Sequence, residues 1–121
     1  MKAFLLAVTV ILLLVGAVIL VSSLGIARID AYREALPEEE APLPVAAEAL
    51  ESLGERVKDE VHLVNLVFPH DRIDTLNAAI ARTAAAARAE DRVEYRIHLA
   101  ELKSFLYDMK RDLRLDFGDI I

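Results

Sequence analysis

Cysteine and tryptophan are both absent from the 121 residues, and only four phenylalanines and three tyrosines supply aromatic surface. The missing cysteine removes disulfides, thiolate nucleophiles and Cys-based metal sites, and it is compatible with an oxidising exterior without pointing to one. Basic charge is scarce as well: 14 Lys and Arg stand against 20 Asp and Glu. A chain that neutralises phosphates needs a basic stripe, commonly interleaved with aromatics, and there is none, so nucleic acid is excluded as a partner. Hydroxyl nucleophiles are few. Beyond the apolar start they are Ser52, Thr75, Thr83 and Ser104, none in a Gly-x-Ser-x-Gly elbow and none beside a histidine. "DFG" at Asp116 to Gly118 shares the letters of the kinase magnesium motif, but it lacks a glycine-rich loop and a lysine-bearing strand. Gly118 reads instead as the end of the last helix. No enzymatic activity and no cofactor are expected.

What is abundant is grease at the front. "AFLLAVTVILLLVGAVILVSSLGIA", Ala3 to Ala27, contains no ionisable side chain, and Phe4 to Val21 alone holds fourteen Phe, Leu, Ile or Val residues. At ~1.5 Å per residue such a helix is about 37 Å long against a hydrocarbon core of about 30 Å, so residues 3–27 are expected to cross a bilayer and contact its lipid. A cleavable leader is the competing reading, with Lys2 as its basic start and "VSS" or "GIA" as small-residue cleavage sites. Its apolar region normally spans about 7–15 residues, and this one is longer, which favours an uncleaved signal-anchor over residues 1–27. The two-residue head favours a single-pass cell-membrane protein with its C-terminal part extracytoplasmic, although Lys2 on one side and Arg28 and Arg33 on the other nearly balance.

All 20 acids come after the run, against 13 bases, so the remainder carries a formal −7. Residues 28–44 are expected to prolong the helix for a couple of turns and then to form a stiff, solvated spacer. Pro37, Pro42 and Pro44 bar a continuous helix, and Glu38, Glu39 and Glu40 oppose collapse. Three adjacent carboxylates lack the spacing of a calcium loop. Helical periodicity then predicts a domain over 45–121. One stripe runs Ala46, Leu50, Leu53, Val57, Val61, Val64 and Phe68. A second takes Ile73, Leu76, Ile80, Thr83 and Ala87, and a third Tyr95, Leu99, Leu102, Leu106, Met109 and Leu113. Helices are expected at about 45–68, 72–89 and 92–116, the last two made antiparallel by their short connection.

"VFPHDRID", Val67 to Asp74, reads as the joint between the first two. Pro69 ends one helix, and Asp71 with Asp74 three residues on is expected to cap the next; Asp91 with Glu94 repeats the arrangement. His62, His70 and His98 offer only two-ligand fragments: Asp59-x-x-His62, His70-Asp71 and His98-x-x-Glu101. The Glu-x-x-His pairs of a di-iron bundle are missing, so no metal is expected. Asp108 and Asp112, beside Lys110, Arg111 and Arg114, read as a solvated face with weak ion pairs.

The apolar start together with "HDRIDTLNAAIARTAAAARAEDRVEYRIHLAELKSFLYDM", His70 to Met109, resembles a bacterial family of small one-span proteins catalogued as a domain of unknown function, number four-three-six-three. "HDRID", "AELKSFL" and the acidic, apolar "LDFGDII" carry the likeness. First domain helices in that family tend to hold tryptophans, which this chain lacks. The resemblance implies membrane anchorage and a helical part outside the membrane; it implies no activity.

Two surfaces are candidates for binding. "VHLVNLVF", Val61 to Phe68, is apolar on nearly every face, with Leu63, Leu66 and Val67 off the main stripe; it is either sandwiched between helices or turned toward a partner. "TAAAARA", Thr83 to Ala89, presents Ala85 and Ala86 for close helix approach, although helix propensity alone also accounts for it. The whole reads as an all-α protein: a transmembrane helix followed by a small antiparallel three-helix bundle. Its expected role is that of an interaction or accessory module for another membrane protein or for a second copy. The alternative is a carrier of a lipid or other apolar small molecule.

Overall fold

The computed structural model describes the backbone of residues 1–120 and the side chains of residues 1–114. The class is all-α, with helices α1 (Lys2–Glu34), α2 (Leu43–Asp59), α3 (Val61–Val64), α4 (His70–Arg88) and α5 (Arg92–Ile120). Unbroken for 33 residues, α1 is long and apolar enough to cross a membrane. Every residue from Met1 to Leu20 is exposed. From Gly25 onward the same helix turns a stripe inward, with Gly25, Ile29 and Tyr32 buried at spacings of four and three.

That stripe changes the architecture from the one expected. Gly25 faces Leu113, Asp30 pairs with Lys110, and the chain just beyond α1 reaches Tyr95, so α1 runs antiparallel to α5. With α5 against α4 and α4 against α2, the bundle has four long helices instead of three, and the fourth is the end of the apolar helix. Its core is the union of the stripes. Leu50, Leu76, Leu99, Leu102, Leu106 and Met109 are at most 1% exposed, and Ile29 and Tyr32 join them at 0%. Burying each of those last two contributes about 1.5–3 kcal/mol of apolar stabilisation. Thr83, also at 0%, donates its hydroxyl to the Ala79 carbonyl at 2.7 Å, which satisfies it inside the core.

The expected spacer is not a solvated stand-off. Tyr95 donates its hydroxyl to the Glu38 carbonyl at 2.8 Å, and Arg92 Nη1 donates to the carbonyls of Glu39 and Ala41 at 3.0 and 2.9 Å. Arg96 holds the Glu40 carboxylate at 2.7 Å. Residues 35–42 are therefore strapped across the end of the bundle farthest from the exposed half of α1. Proline explains why they can be: Pro42 is the N-cap of α2 and Pro44 lies in its first turn, where amides have no helical partner to lose.

The single helix expected over 45–68 is interrupted at Glu60, whose φ of −94° and ψ of 9° leave the helical region. Beyond it the chain makes one turn of helix, α3, and then a turn over Asn65 to Val67. At the other joint α4 closes with Glu90 at φ 58°. The Asp91 amide donates to the Ala86 carbonyl and the Glu90 amide to that of Ala87, both at 3.1 Å, a glutamate taking the left-handed place that glycine usually fills. At the far end α5 stays helical through Ile120, so Gly118 does not terminate it.

The left-handed conformation costs an L residue roughly 1–2 kcal/mol. Glu90→Gly is therefore expected to raise stability by about 1 kcal/mol, read as a higher thermal midpoint with unchanged helix content by circular dichroism.

Candidate functional site

Residues where an apolar helix enters a polar domain must satisfy both surroundings, and that junction gathers most of the candidates. Gly25 is the closest approach. A Cβ placed there would stand 2.5 Å from Val67 Cγ1 and 3.0 Å from Leu113 Cδ1, so the lack of a side chain is what lets α1 reach the bundle. Beside it a small groove is walled by Leu24, Arg28, Leu63 and Val67. Leu63 and Val67, candidates for a partner surface, are half-buried against α1 of their own chain. Val64 and Phe68 turn into the core at 2% and 5% exposure, while Leu66 is 70% exposed. The all-round greasiness of Val61 to Phe68 is thus divided among a core side, an α1 side and one free leucine. Of the alanine pair, Ala86 is buried and Ala85 is exposed.

One turn below Gly25, Glu60 collects the charges of the junction. Its Oε2 accepts from Tyr32 Oη at 3.0 Å and meets Arg28 Nη1 at 3.1 Å; its Oε1 accepts from Arg56 Nε at 3.0 Å. The Arg56 guanidinium also lies 5.7 Å from the centre of the Tyr32 ring. Burial works to raise the Glu60 carboxyl, but the bonds from Arg56 and Tyr32 and the Arg28 charge outweigh it and hold it below its ordinary 4.5. Burial, then the bond to Glu60 and its negative charge, push the Tyr32 phenol up from its ordinary 10.0. Lys110 fixes Asp30 at 2.7 Å, and Arg72 holds Asp112 while its guanidinium stands 5.9 Å from the centre of the Phe105 ring. Asp108 has Arg111 at 3.4 Å. The carboxylates expected to form a solvated face are half-buried and paired, Asp112 across the helix interface and Asp108 along its own helix.

The capping residues separate. Asp91 Oδ1 accepts from the Glu94 amide at 3.1 Å, opening α5, while the Glu94 carboxylate sits 3.2 Å from His98 Nε2. Asp71 is not the N-cap of α4. Pro69, extended at φ −65° and ψ 155°, takes that place without a side-chain bond, and its carbonyl already accepts from the Arg72 amide at 3.1 Å. Asp71 lies inside the first turn, on the favourable end of the dipole, and Asp74 is exposed one turn later.

Two wider surface grooves accompany the junction. One of about 540 Å³ is lined by Asp30, Arg33, Glu34, Leu36 and Lys103. Another of about 290 Å³ runs between α2 and α4 past Leu50, Gly54, Asn77 and Ile80. Among the described residues no group of three or more His, Asp and Glu side chains is placed to hold a metal ion.

The three sequence stripes omit Ile29 and Tyr32, whose signal is the spacing Gly25, Ile29, Tyr32, Leu36 running straight out of the apolar stretch. They omit Glu60 as well, whose one local signal is Arg56 four residues before it; Arg28 and Tyr32 reach it from α1.

Because a side chain at 25 would meet the Cβ of Val67 at 3.3 Å as well as its Cγ1 at 2.5 Å, Gly25→Ala is expected to lower stability by about 1–2 kcal/mol despite the ~1 kcal/mol helix preference of alanine. Thermal unfolding in detergent should show the loss, and a Gly25→Ala, Val67→Ala double variant should lose less than the sum of the two single changes. The Tyr32 phenol, raised when folded, contributes stability that is complete below its unfolded value near 10 and lost as pH climbs through the folded value. Tyr32→Phe is expected to cost about 1–3 kcal/mol at neutral pH and to flatten the decline above pH 10, measured by denaturant titration at stepped pH.

Comparison of the chain with protein-family models, with curated proteins and with solved structures finds no match, so nothing in them supports the resemblance drawn from the apolar start, His70 to Met109 and "LDFGDII".

Proposed function

We propose that the chain is a single-span membrane protein whose four-helix bundle stands directly on the bilayer as a non-enzymatic interaction or accessory module. The observation that carries this is the continuity of α1: one helix leaves residues 1–20 bare of protein contacts and then places Ile29 and Tyr32 in the core. So long an apolar surface has no stable home in water. The same continuity supports an anchor over a cleaved leader, because Gly25 and its neighbours are helical and packed against Val67 and Leu113, whereas proteases act on exposed, unpaired chain.

The orientation rests on the short head: with Lys2 before the span and Arg28 and Arg33 after it the basic count nearly balances, and a head of two residues favours an extracytoplasmic bundle. For the partner, α5 carries a second stripe on its outer face. Val93, Ile97 and Tyr107 are 67%, 47% and 54% exposed, with Ala100 and Ser104 exposed between them. Steps of four and three residues along that face make the seam of a two-helix contact with another membrane protein or a second copy. A carrier of apolar cargo finds less support, since the bundle interior is filled and the larger groove is lined with charge.

In alkaline carbonate the native protein is expected to remain with the membrane pellet at its full intact mass, and in mild detergent to elute as an assembly larger than a monomer. Ile97→Glu with Tyr107→Glu should release the monomer without lowering its melting temperature. A soluble polypeptide beginning near Ile26 or Arg28 would refute the anchor, and a stable wild-type monomer would refute the module.

A further inference from the structure

We infer that the outer face of α5 binds a second copy of this chain, α5 against α5 and running in parallel. This rests on the reading of the chain as a membrane-anchored interaction module and names its partner as the chain itself.

The seam is marked twice along α5, by apolar and by charged residues. Val93, Ile97, Ala100, Ser104 and Tyr107 are all exposed, at alternating steps of four and three. At about 100° per residue they lie on the side of the helix opposite the buried Tyr95, Leu99, Leu102 and Leu106, so the bundle's own core does not cover them. One flank of this stripe carries Glu94, Glu101 and Asp108, seven residues apart and all acidic. The other carries Arg96, Lys103 and Lys110, seven apart and all basic.

Such flanking charges select the partner and its direction in a two-helix contact. Were the two copies of α5 antiparallel, each flank would meet its own kind, Glu101 against Glu101 and Lys103 against Lys103. In parallel, the acidic flank meets the basic one: Arg96 falls opposite Glu101 of the second copy, and Lys103 opposite its Asp108. Within one helix these residues stand five apart, a spacing that does not bring side chains together. Arg96 is already held by Glu40 and Lys110 by Asp30, whereas Lys103 is exposed beside the seam.

Anchorage requires the same direction. Copies inserted alike carry their α5 helices, antiparallel to α1, pointing the same way, and a two-fold axis along the helices brings each seam residue onto its counterpart. Val93 to Tyr107 spans about 21 Å, a short contact. It suffices for chains that share a membrane, which have lost much of their freedom before they meet.

The absence of cysteine makes a direct test available, since one introduced thiol is the only thiol. Full-length protein carrying Val93→Cys, Tyr107→Cys or, on the exposed side of α4, Arg82→Cys would be oxidised in its native membrane, and the dimer fraction read on a non-reducing gel. A disulfide needs Cα atoms within about 7 Å. Val93→Cys and Tyr107→Cys are each expected to cross-link to themselves, and Arg82→Cys is not. In the Val93→Cys background, Lys103→Glu is expected to lower the yield about fivefold, and adding Asp108→Lys to restore it. Cross-linking only when the Val93→Cys and Tyr107→Cys chains are mixed would mean antiparallel copies and overturn the inference. Equal yields at all three sites would mean random collision, and a Lys103→Glu loss that Asp108→Lys fails to restore would remove the charge register; each overturns it too. No cross-link from protein that still elutes with a different membrane protein would overturn the second copy and leave the module standing. Release of the chain by alkaline carbonate would bring down both.

Discussion

A helix long and apolar enough for a bilayer can also enter a bundle only if the transition point brings nothing into the way, and Gly25 is that point. Its missing side chain allows Val67 and Leu113 to close on the backbone of α1, and that closure sets the angle and depth of the whole bundle. Packed interiors tolerate little added volume, so the contact behaves as a fixed bearing. From it the next inward positions, Ile29 and Tyr32, fall into the core by helical geometry alone. A flexible linker at this place would have decoupled the domain from the apolar half of α1. A continuous helix transmits position and orientation from one to the other.

The polar chemistry of the junction is arranged around the same bearing. Glu60 sits where α2 gives way to α3, and it receives two guanidinium groups and a phenol from α1 and α2. Ion pairs on open surfaces are worth little because water competes for both partners. Here Tyr32 is fully buried and Glu60 is largely covered, so its carboxylate must be met from several sides to offset the loss of hydration. The arrangement also gives Arg28, the first charged residue after the apolar run, a neutralising partner close to the proposed membrane boundary. At the opposite end of the bundle, Tyr95, Arg92 and Arg96 perform the corresponding task by holding residues 35–42 against α5.

Much of the fold is legible in the chain itself, for specific reasons. The stripe from Tyr95 to Leu113 lines the core as its period implies, because a long amphipathic helix leaves little freedom about which face turns inward. Asp91 bonds the amide that its position before α5 favours, since a cap is a local interaction between residues three apart. Asp71 does not take the cap because Pro69 itself sets the extended backbone that a cap requires. The break at Glu60 has no warning in the periodicity of Val57, Val61 and Val64, which continues across it; distant donors stabilise the bend. The spacer departs from expectation for a similar reason. Three glutamates in a row repel one another in isolation, and only the cations of α5 folding back over them turn that stretch into a strap.

By itself the chain determined the all-helical class, the apolar stretch of membrane length and the joints at Pro69 and Asp91, because each arises from interactions within a few residues or from composition. Tertiary structure alone decided that α1 supplies a fourth bundle helix, that Leu63 and Val67 face their own chain while Leu66 stays free, and that Glu60 gathers Arg28, Tyr32 and Arg56. Those outcomes depend on surfaces far apart in the sequence meeting in one place. No local periodicity records which of several greasy faces will find the other.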